Sequence, residues 1–159
     1  MIKLDEKDKE ILKFIQEDCK RSTKEIARKI GSPITTVYAK VKRMEDLGII
    51  KHYKTVLDAK KLDKGTTSFI LVSVGYRAPG IERTLDQREI AKEIAKFHEV
   101  LETHLISGDW DILIKVKGKD VDEIGKFVVD KLRKLEGVEK TLSCMVYGTA
   151  KESLDINLS

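Results

Sequence analysis

The spacing of apolar residues changes period near residue 66, and this change constrains the fold more than any other feature of the sequence. Before it, apolar residues recur at helical spacing, as at Ile11, Phe14 and Ile15. After it, residues 68–76 read SFILVSVGY, a nearly continuous apolar run typical of a strand covered on both faces. The run is far short of the roughly 18 residues that a membrane span needs. We therefore predict an α+β chain in which a helical module precedes a module that contains a sheet.

Capping signals divide the first module into helices. Asp5 predicts the N-cap of a first helix that ends near Cys19. Ser22 and Glu25 form a capping box that opens a second helix, and Gly31 ends it.

A short turn then leads to a third predicted helix, with Ser32 as its N-cap, Pro33 as its first residue and Gly48 after its last turn. Two helices joined in this way form a helix-turn-helix, whose second helix enters the major groove of DNA. One face of the third helix carries the apolar residues Val37, Val41 and Met44. The opposite face is polar, aromatic and basic, as a DNA-contacting face would be.

The excess positive charge of the chain lies entirely in this first module. Residues 1–52 carry 13 Lys and Arg against 9 Asp and Glu, whereas residues 53–159 carry 18 of each. Between Lys20 and Arg43, eight basic residues face a single acid, Glu25. Such a cluster is the electrostatic footprint of a polyanion contact, although a solvated lysine-rich helix surface is a more common origin of a charge run. Together with the turn spacing, it favours double-stranded DNA as the partner over a three-helix module that binds protein.

The predicted DNA contacts fall into two groups. The outward face near the start of the third helix carries Thr35, Thr36, Tyr38 and Ala39. We expect these side chains to reach base edges, where Thr and Ala methyl groups suit the thymine methyl. The expected phosphate contacts are the basic residues Lys24, Arg28, Lys40, Lys42 and Arg43.

The second module has the predicted order β-α-β-β-α-β, which is that of the ferredoxin-like fold. Strands are predicted at residues 68–76, 100–107, 110–117 and 138–147, and helices at residues 86–98 and 120–135. A loop is predicted at residues 77–85, and a hairpin turn is predicted at Gly108 and Asp109. An internal echo supports the assignment: Lys96, Phe97, Val100 and Thr103 recur in spacing as Lys134, Leu135, Val138 and Thr141.

The predicted organisation is therefore a helix-turn-helix domain over residues 1–52, a strand linker over residues 53–65, a ferredoxin-like domain over residues 66–150 and a tail over residues 151–159. In the last strand we place Leu142, Cys144 and Val146 on the face that the helices cover. The other face then exposes Leu113, Met145, Tyr147 and part of the first strand, a patch typical of an interface. We expect a homodimer that forms sheet to sheet with two-fold symmetry.

The motifs that carry a family resemblance are distributed over nearly the whole chain. They are Leu4-Asp5 with Asp8 and Ile11-Leu12, Glu25-Ile26-Ala27, Gly31, Val41-Lys42-Arg43-Met44-Glu45 with Gly48-Ile49-Ile50, Gly108-Asp109-Trp110-Asp111, and Gly137-Val138. Together they resemble the Lrp/AsnC family, the leucine-responsive or feast/famine transcription regulators. The resemblance implies a regulator that binds operator DNA as a dimer, assembles to tetramers or octamers, and responds to an amino acid. The N-terminus has no apolar segment typical of a secretion signal, so we expect a cytoplasmic protein, and we expect no cofactor.

The resemblance also implies a location for the effector pocket, at contacts between dimers. The implied lining residues are Ser107, Gly108, Asp109, Trp110 and Asp111 from the loop, and Thr141 and Ser143 from the last strand. Asp109 or Asp111 would pair with the ammonium of an amino acid, and the loop amides, Thr141 or Ser143 would bind its carboxylate. Hairpin turn chemistry explains Gly108 and Asp109 equally well.

Other classes of function fit the sequence less well. His98, His104, Asp109 and Asp111 could gather near one end of the sheet, but no metal-ligand or nucleophile spacing supports an enzyme. Cys19 and Cys144 are too few for a zinc cage or a disulfide framework. An RNA-binding sheet would carry an aromatic signature that these strands lack. A ligand-independent architectural regulator would bind DNA without responding to an amino acid. A ferredoxin-like scaffold would show no salt-sensitive binding to DNA.

Overall fold

The computed structural model describes residues 3–75 and 86–158. The chain divides into two compact units, one formed by Met1–Val56 with Lys151–Ser159 and the other by Leu57–Ala150. The predicted boundary at residue 52 lies close to this division, and the segment predicted as a separate tail belongs to the helical unit. Tyr76 and the predicted loop at residues 77–85 lie outside the described residues.

The helical unit contains α1 (Glu6–Glu17), α2 (Thr23–Lys29) and α3 (Ile34–Asp46). Asp5 is the N-cap of α1 and Ser22 opens α2 with a capping box, as predicted; Asp5 also forms a capping box with Asp8, which was not predicted. Gly31 and Gly48 adopt left-handed φ values of 61° and 69° after α2 and α3, where a side chain would be strained. The core of the unit is formed by Ile11, Leu12, Ile26, Ala27, Val37 and Met44, against which Leu158 also packs.

The start of α3 differs from the prediction. Pro33, rather than Ser32, occupies the N-cap position, and no side chain caps the helix. The Ser32 Oγ is buried and has no hydrogen-bond partner among the described residues. The first backbone N–H groups of α3 therefore lack the side-chain acceptor that α1 and α2 have.

The predicted strand linker does not form. Residues 51–58 have no regular secondary structure, and Ala59–Leu62 form a short 3₁₀ helix capped by Asp58. A strand needs a neighbouring strand to receive its hydrogen bonds, and none of the described segments pairs with residues 53–65.

The second unit contains β1 (Thr66–Val74), α4 (Gln87–Ile94), β2 (Val100–Leu105), β3 (Ile112–Gly118), α5 (Val121–Asp130) and β4 (Val138–Met145). The strand order is β2-β3-β1-β4, and each pair of neighbours is antiparallel. This is the predicted ferredoxin-like arrangement. The predicted internal repeat is also present, because the same backbone hydrogen bond forms at both passages from helix to strand. Val100 N donates to Phe97 O at 3.1 Å, and Val138 N donates to Leu135 O at 3.2 Å.

Both helices of this unit pack on the same face of the sheet. The core joins Ile90, Ile94, Ile124 and Phe127 of the helices to Ile70, Val72, Ile112 and Ile114 of the strands. On β4, Thr141 lies opposite Val72 and Ser143 lies opposite Ile70, so both lie on this helix-covered face.

The predicted faces of β4 are therefore reversed. Leu142 lies opposite Leu71, and Cys144 lies opposite Phe69, on the face that α4 and α5 leave uncovered. Met145, predicted on the exposed side, packs against the core. The more apolar residues of the strand, Leu142 and Cys144, lie on the side that the helices leave uncovered, so the alternation of polarity indicated the wrong face. We call the uncovered residues Phe69, Leu71, Leu113, Leu142 and Cys144 the open face; Leu113 was predicted to lie there.

Candidate functional sites

The outward side of α3 brings several predicted DNA contacts together. Val37 and Met44 are fully buried on the inner side, whereas Thr35, Ala39 and Lys42 are exposed. A shallow depression of about 420 Å³ is lined by Thr35, Thr36, Ala39, Lys40 and Arg43. Tyr38, with 61% of its surface exposed, lies on the same helix outside this depression. The face offers hydroxyl, methyl, phenol and cationic groups within one helix width.

Three of the predicted phosphate contacts are exposed cations. Lys24 and Arg28 lie on α2, and Lys42 lies on α3. None of the three forms an ion pair with a described residue, so their charge is available to a polyanion.

Lys40 and Arg43 are placed differently, because both bind acidic residues at the start of α1. Lys40 Nζ donates to Asp5 Oδ2 at 2.5 Å and to Asp8 Oδ1 at 3.0 Å. Arg43 Nη2 donates to Asp8 Oδ2 at 2.6 Å. The carboxylate of Asp8 is fully buried, which explains why it holds two cations.

The ionisation of this cluster follows from its hydrogen bonds. The Lys40 ammonium, together with the Asp8 backbone N–H, lowers the pKa of Asp5 below its usual range. The Asp5 carboxylate raises the pKa of Lys40, against the effect of burial. These contacts of Asp8 were not predicted from the sequence. The signal that could have indicated a buried acid is its place at the third position of a capping box, three residues before the buried pair Ile11-Leu12.

A groove of about 520 Å³ crosses the start of β4 in the second unit. It is lined by Trp110, Arg133, Val138, Glu139, Lys140, Thr141 and Leu142. Arg133 Nε donates to Thr141 Oγ1 at 2.9 Å, and Arg133 forms no ion pair with a described residue. Of the predicted effector contacts, Trp110 and Thr141 line the groove, whereas Ser107, Gly108, Asp109, Asp111 and Ser143 do not. Arg133 was not predicted, because it lies in a 3₁₀ turn that the sequence pattern extends as a helix.

The hairpin loop contains two aspartates with different surroundings. Asp111 is tied to β1: its Oδ2 accepts from Val74 N–H at 2.8 Å, and its own N–H donates to Val72 O at 3.0 Å. Asp109 is exposed and makes no hydrogen bond or ion pair with the described residues. Gly108 has a φ of 117°, a conformation that L side chains rarely adopt, so turn geometry accounts for this glycine.

Neither a metal-binding cluster nor a membrane-spanning helix occurs in the part of the chain that the structure describes. Residues 3–75 and 86–158 contain no cluster of three or more His, Cys, Asp or Glu side chains able to hold a metal ion. The helices within these ranges are too short or too polar to cross a lipid bilayer.

Two family profiles match the chain, one over each unit. Residues 4–51 match a winged helix-turn-helix DNA-binding domain, and residues 67–156 match the Lrp/AsnC ligand binding domain. An uncharacterized HTH-type transcriptional regulator of Pyrococcus horikoshii is 36% identical over 151 residues, covering 95% of this chain and 97% of the relative. The HTH-type transcriptional regulator FL11 of the same organism is 30% identical, covering 98% and 97%.

Solved structures share the fold along the full length of the chain. A transcriptional regulator from Neisseria meningitidis, crystallised as a complex with L-Met, is 25% identical with a TM-score of 0.89, covering 98% of this chain and 97% of that one. AsnC of E. coli is 20% identical with a TM-score of 0.84, covering 95% and 97%, and shows the same fold.

Proposed function

Because the chain belongs to the Lrp/AsnC family of DNA-binding transcription regulators, which are not enzymes, we propose that it binds operator DNA through the outward side of α3 and that an amino acid bound beside Trp110 modulates this binding. The observation that carries the proposal is the pairing of two surfaces in one chain. One is the exposed cationic and hydroxyl face of α3. The other is the groove at β4, inside the segment that matches a ligand-binding domain.

On the DNA side, the exposed residues divide by chemistry. Thr35, Thr36, Tyr38 and Ala39 face outward or line the depression, and are assigned to base edges in the major groove. Lys24, Arg28 and Lys42 are assigned to phosphates, because they carry unpaired charge. The uncapped N-terminus of α3 adds backbone N–H groups that suit a phosphate oxygen.

On the ligand side, the groove has a volume suited to a small molecule and a mixed polar and apolar lining. The Arg133 guanidinium, held by Thr141, is the group assigned to the carboxylate of an amino acid. The indole of Trp110 is assigned to the apolar side chain. The ammonium is assigned to the exposed Asp109, which does not line the groove but precedes Trp110 in the chain, in preference to Asp111, whose carboxylate already binds β1. The L-Met complex of the Neisseria relative supports an amino acid as the ligand class.

The open face of the sheet is proposed to bind a second copy of the chain. Leu142 is 47% exposed on this face, beside Leu71 and Phe69. Burial of a contiguous apolar patch against its own copy is the usual basis of a two-fold dimer. Higher assembly to tetramers or octamers is proposed to occur at contacts between such dimers.

The proposal is tested by measuring the response of the full chain to each of the twenty amino acids. We expect at least one to raise the unfolding temperature, and the same one to change the size of the assembly or its affinity for DNA. Substitution Arg133→Gln should abolish this response, whereas Lys92→Gln, on the exposed side of α4, should retain it. A protein that binds DNA but responds to no amino acid would instead be a ligand-independent architectural regulator.

A further inference from the structure

The cations on the outward side of α3 differ in their freedom to move. Lys42 is exposed and forms no ion pair with a described residue, whereas Lys40 and Arg43 are bound to α1. Their common partner, Asp8, is itself fixed by the capping box, since its Oδ2 accepts from Asp5 N–H at 2.9 Å. A carboxylate held by its own helix cannot follow a cation that turns towards a DNA phosphate.

The burial of Asp8 makes these two ion pairs hard to exchange for contacts with DNA. Its side chain is 1% exposed, so water cannot replace a departing partner. Removing one partner of a buried pair leaves an uncompensated charge in a medium of low dielectric constant, which is strongly unfavourable. A phosphate must therefore compete with Asp8 for Lys40 and Arg43, whereas it meets no such competitor at Lys42.

We propose that Asp8, assisted by Asp5, is a positioning residue that restrains Lys40 and Arg43 and so limits the sequence-independent part of DNA binding. The proposal rests on the proposed function, because it takes the outward side of α3 as the DNA-binding surface. Sequence-independent affinity grows with the number of phosphates that cations neutralise, each adding about 0.9 to the slope of log K against log salt concentration. Lys40 and Arg43 are held by α1, so they do not add to the number of neutralised phosphates. They still line the depression that is assigned to the bases.

The test compares Asp8→Asn and Asp5→Asn in the full chain, using a short fluorescein-labelled duplex of scrambled sequence over a range of salt concentrations. Asp8→Asn should steepen the salt slope by about 0.9, because it releases Arg43 while Asp5 still holds Lys40. Asp5→Asn should steepen it by a smaller amount, because Lys40 keeps only its bond to Asp8. The double variant releases both cations and should steepen the slope by up to about 1.8. At low salt, binding to the scrambled duplex should tighten on the order of tenfold for each released cation. Adding Arg43→Gln to Asp8→Asn should reverse most of the change, because Arg43 is the cation that Asp8→Asn releases.

Two variants, Asp5→Asn and Glu10→Gln, separate the proposed effect from unfolding and from a change in net charge. Asn is an effective N-cap, so Asp5→Asn keeps α1 folded and decides the outcome alone if Asp8→Asn unfolds the helical unit. Glu10→Gln, at an exposed position on the same helix, changes the net charge equally and should leave the slope close to that of the unchanged protein. Slopes for Asp5→Asn and Asp8→Asn no steeper than for Glu10→Gln would overturn the proposal, as would weaker binding at an unchanged slope.

The variant Lys42→Gln separates this proposal from the one on which it rests. If Lys42→Gln lowers the slope while Asp5→Asn and Asp8→Asn leave it unchanged, the DNA-binding surface stands and the restraint by Asp8 is wrong. If Lys42→Gln has no effect, the assignment of the surface itself is wrong, and the restraint fails with it.

Discussion

Gln16 binds the backbone of Ile156 at two points: its Nε2 donates to the Ile156 carbonyl oxygen at 3.2 Å, and its Oε1 accepts from the Ile156 N–H at 2.8 Å. Beyond this contact, Leu158 packs against the core that α1, α2 and α3 share. The helical unit is thus built from two stretches of sequence separated by the whole of the second unit.

The first prediction concerns this contact. Gln16→Ala should lower the free energy of unfolding of the helical unit by about 1 kcal/mol, since two solvent-exposed hydrogen bonds are lost together. Hydrogen exchange of the α1 amides measures the change. Lys13→Ala, at an exposed position on the same helix, is the control. Equal protection of the amides in the two variants would show that the Gln16 hydrogen bonds contribute nothing to the stability of the unit.

The second prediction concerns sequence-independent affinity. Lys42→Gln should weaken binding to every duplex tested and lower the slope of log K against log salt concentration by about 0.9, because one phosphate contact is lost. Fluorescence anisotropy at several salt concentrations gives both values. Lys92→Gln removes the same charge from α4 and should change neither.

The third prediction concerns the choice of sequence. Tyr38→Ala should change the base preference at one or two positions of the selected site, costing about 1–3 kcal/mol for the original bases, because a groove contact is removed. Selection from a pool of randomised duplexes reveals the preferred site before and after the substitution. The salt slope should stay the same, in contrast to Lys42→Gln; a lower slope would place Tyr38 on the phosphate backbone.

The fourth prediction separates the two aspartates of the hairpin loop. Asp109→Asn should abolish or weaken the amino-acid response while unfolding stability stays within about 0.5 kcal/mol, because the carboxylate is exposed. Asp111→Asn should lower stability, because Val74 N–H loses a charged acceptor in a partly buried position. Thermal unfolding with and without the active amino acid measures both effects. Equal loss of stability in the two variants would assign Asp109 a structural role.

The fifth prediction concerns alkaline pH. Burial raises the pKa of Tyr53 to about 12, assisted by the hydrogen bond that its hydroxyl donates to Glu45 at 2.8 Å. The unfolded phenol ionises near pH 10, so its contribution to stability is complete below about pH 10 and is lost as the pH rises towards about 12. The effect is modest, because 48% of the residue is exposed and solvent screens it.

Tyr53→Phe should therefore flatten the fall of the unfolding temperature over this alkaline range. Tyr147→Phe is the matched control, because Tyr147 is fully exposed. Parallel pH profiles for the unchanged protein and Tyr53→Phe would contradict the assigned pKa.

The elements that local chemistry determines were predictable from the sequence. The N-cap at Asp5, the capping box at Ser22 and the glycines Gly31 and Gly48 that end the helices are features of a few adjacent residues, and the structure has them at the expected positions. The strand order followed from the sequence of elements alone, because short connections leave few ways to arrange β-α-β-β-α-β.

The features that depend on distant contacts were not predictable. The face of β4 is set by its register against β1, which places the polar Thr141 under the helices and the apolar Leu142 on the open face, opposite to what the alternation of polarity indicates. The packing of α3 on α1 brings Asp8 to Arg43, and nothing in the local sequence of α1 indicates this contact. The contact between Arg133 and Thr141 likewise joins residues of two different elements.

The discontinuity of the helical unit has a consequence for biosynthesis. The residues that complete the unit, Ile156 and Leu158, leave the ribosome only after the ligand-binding unit has been made. A chain that stops within the second unit carries all three helices but lacks the segment that packs behind α1. The DNA-binding helices therefore reach their full stability only in chains that also carry the second unit, and we expect a chain that stops within that unit to bind DNA more weakly.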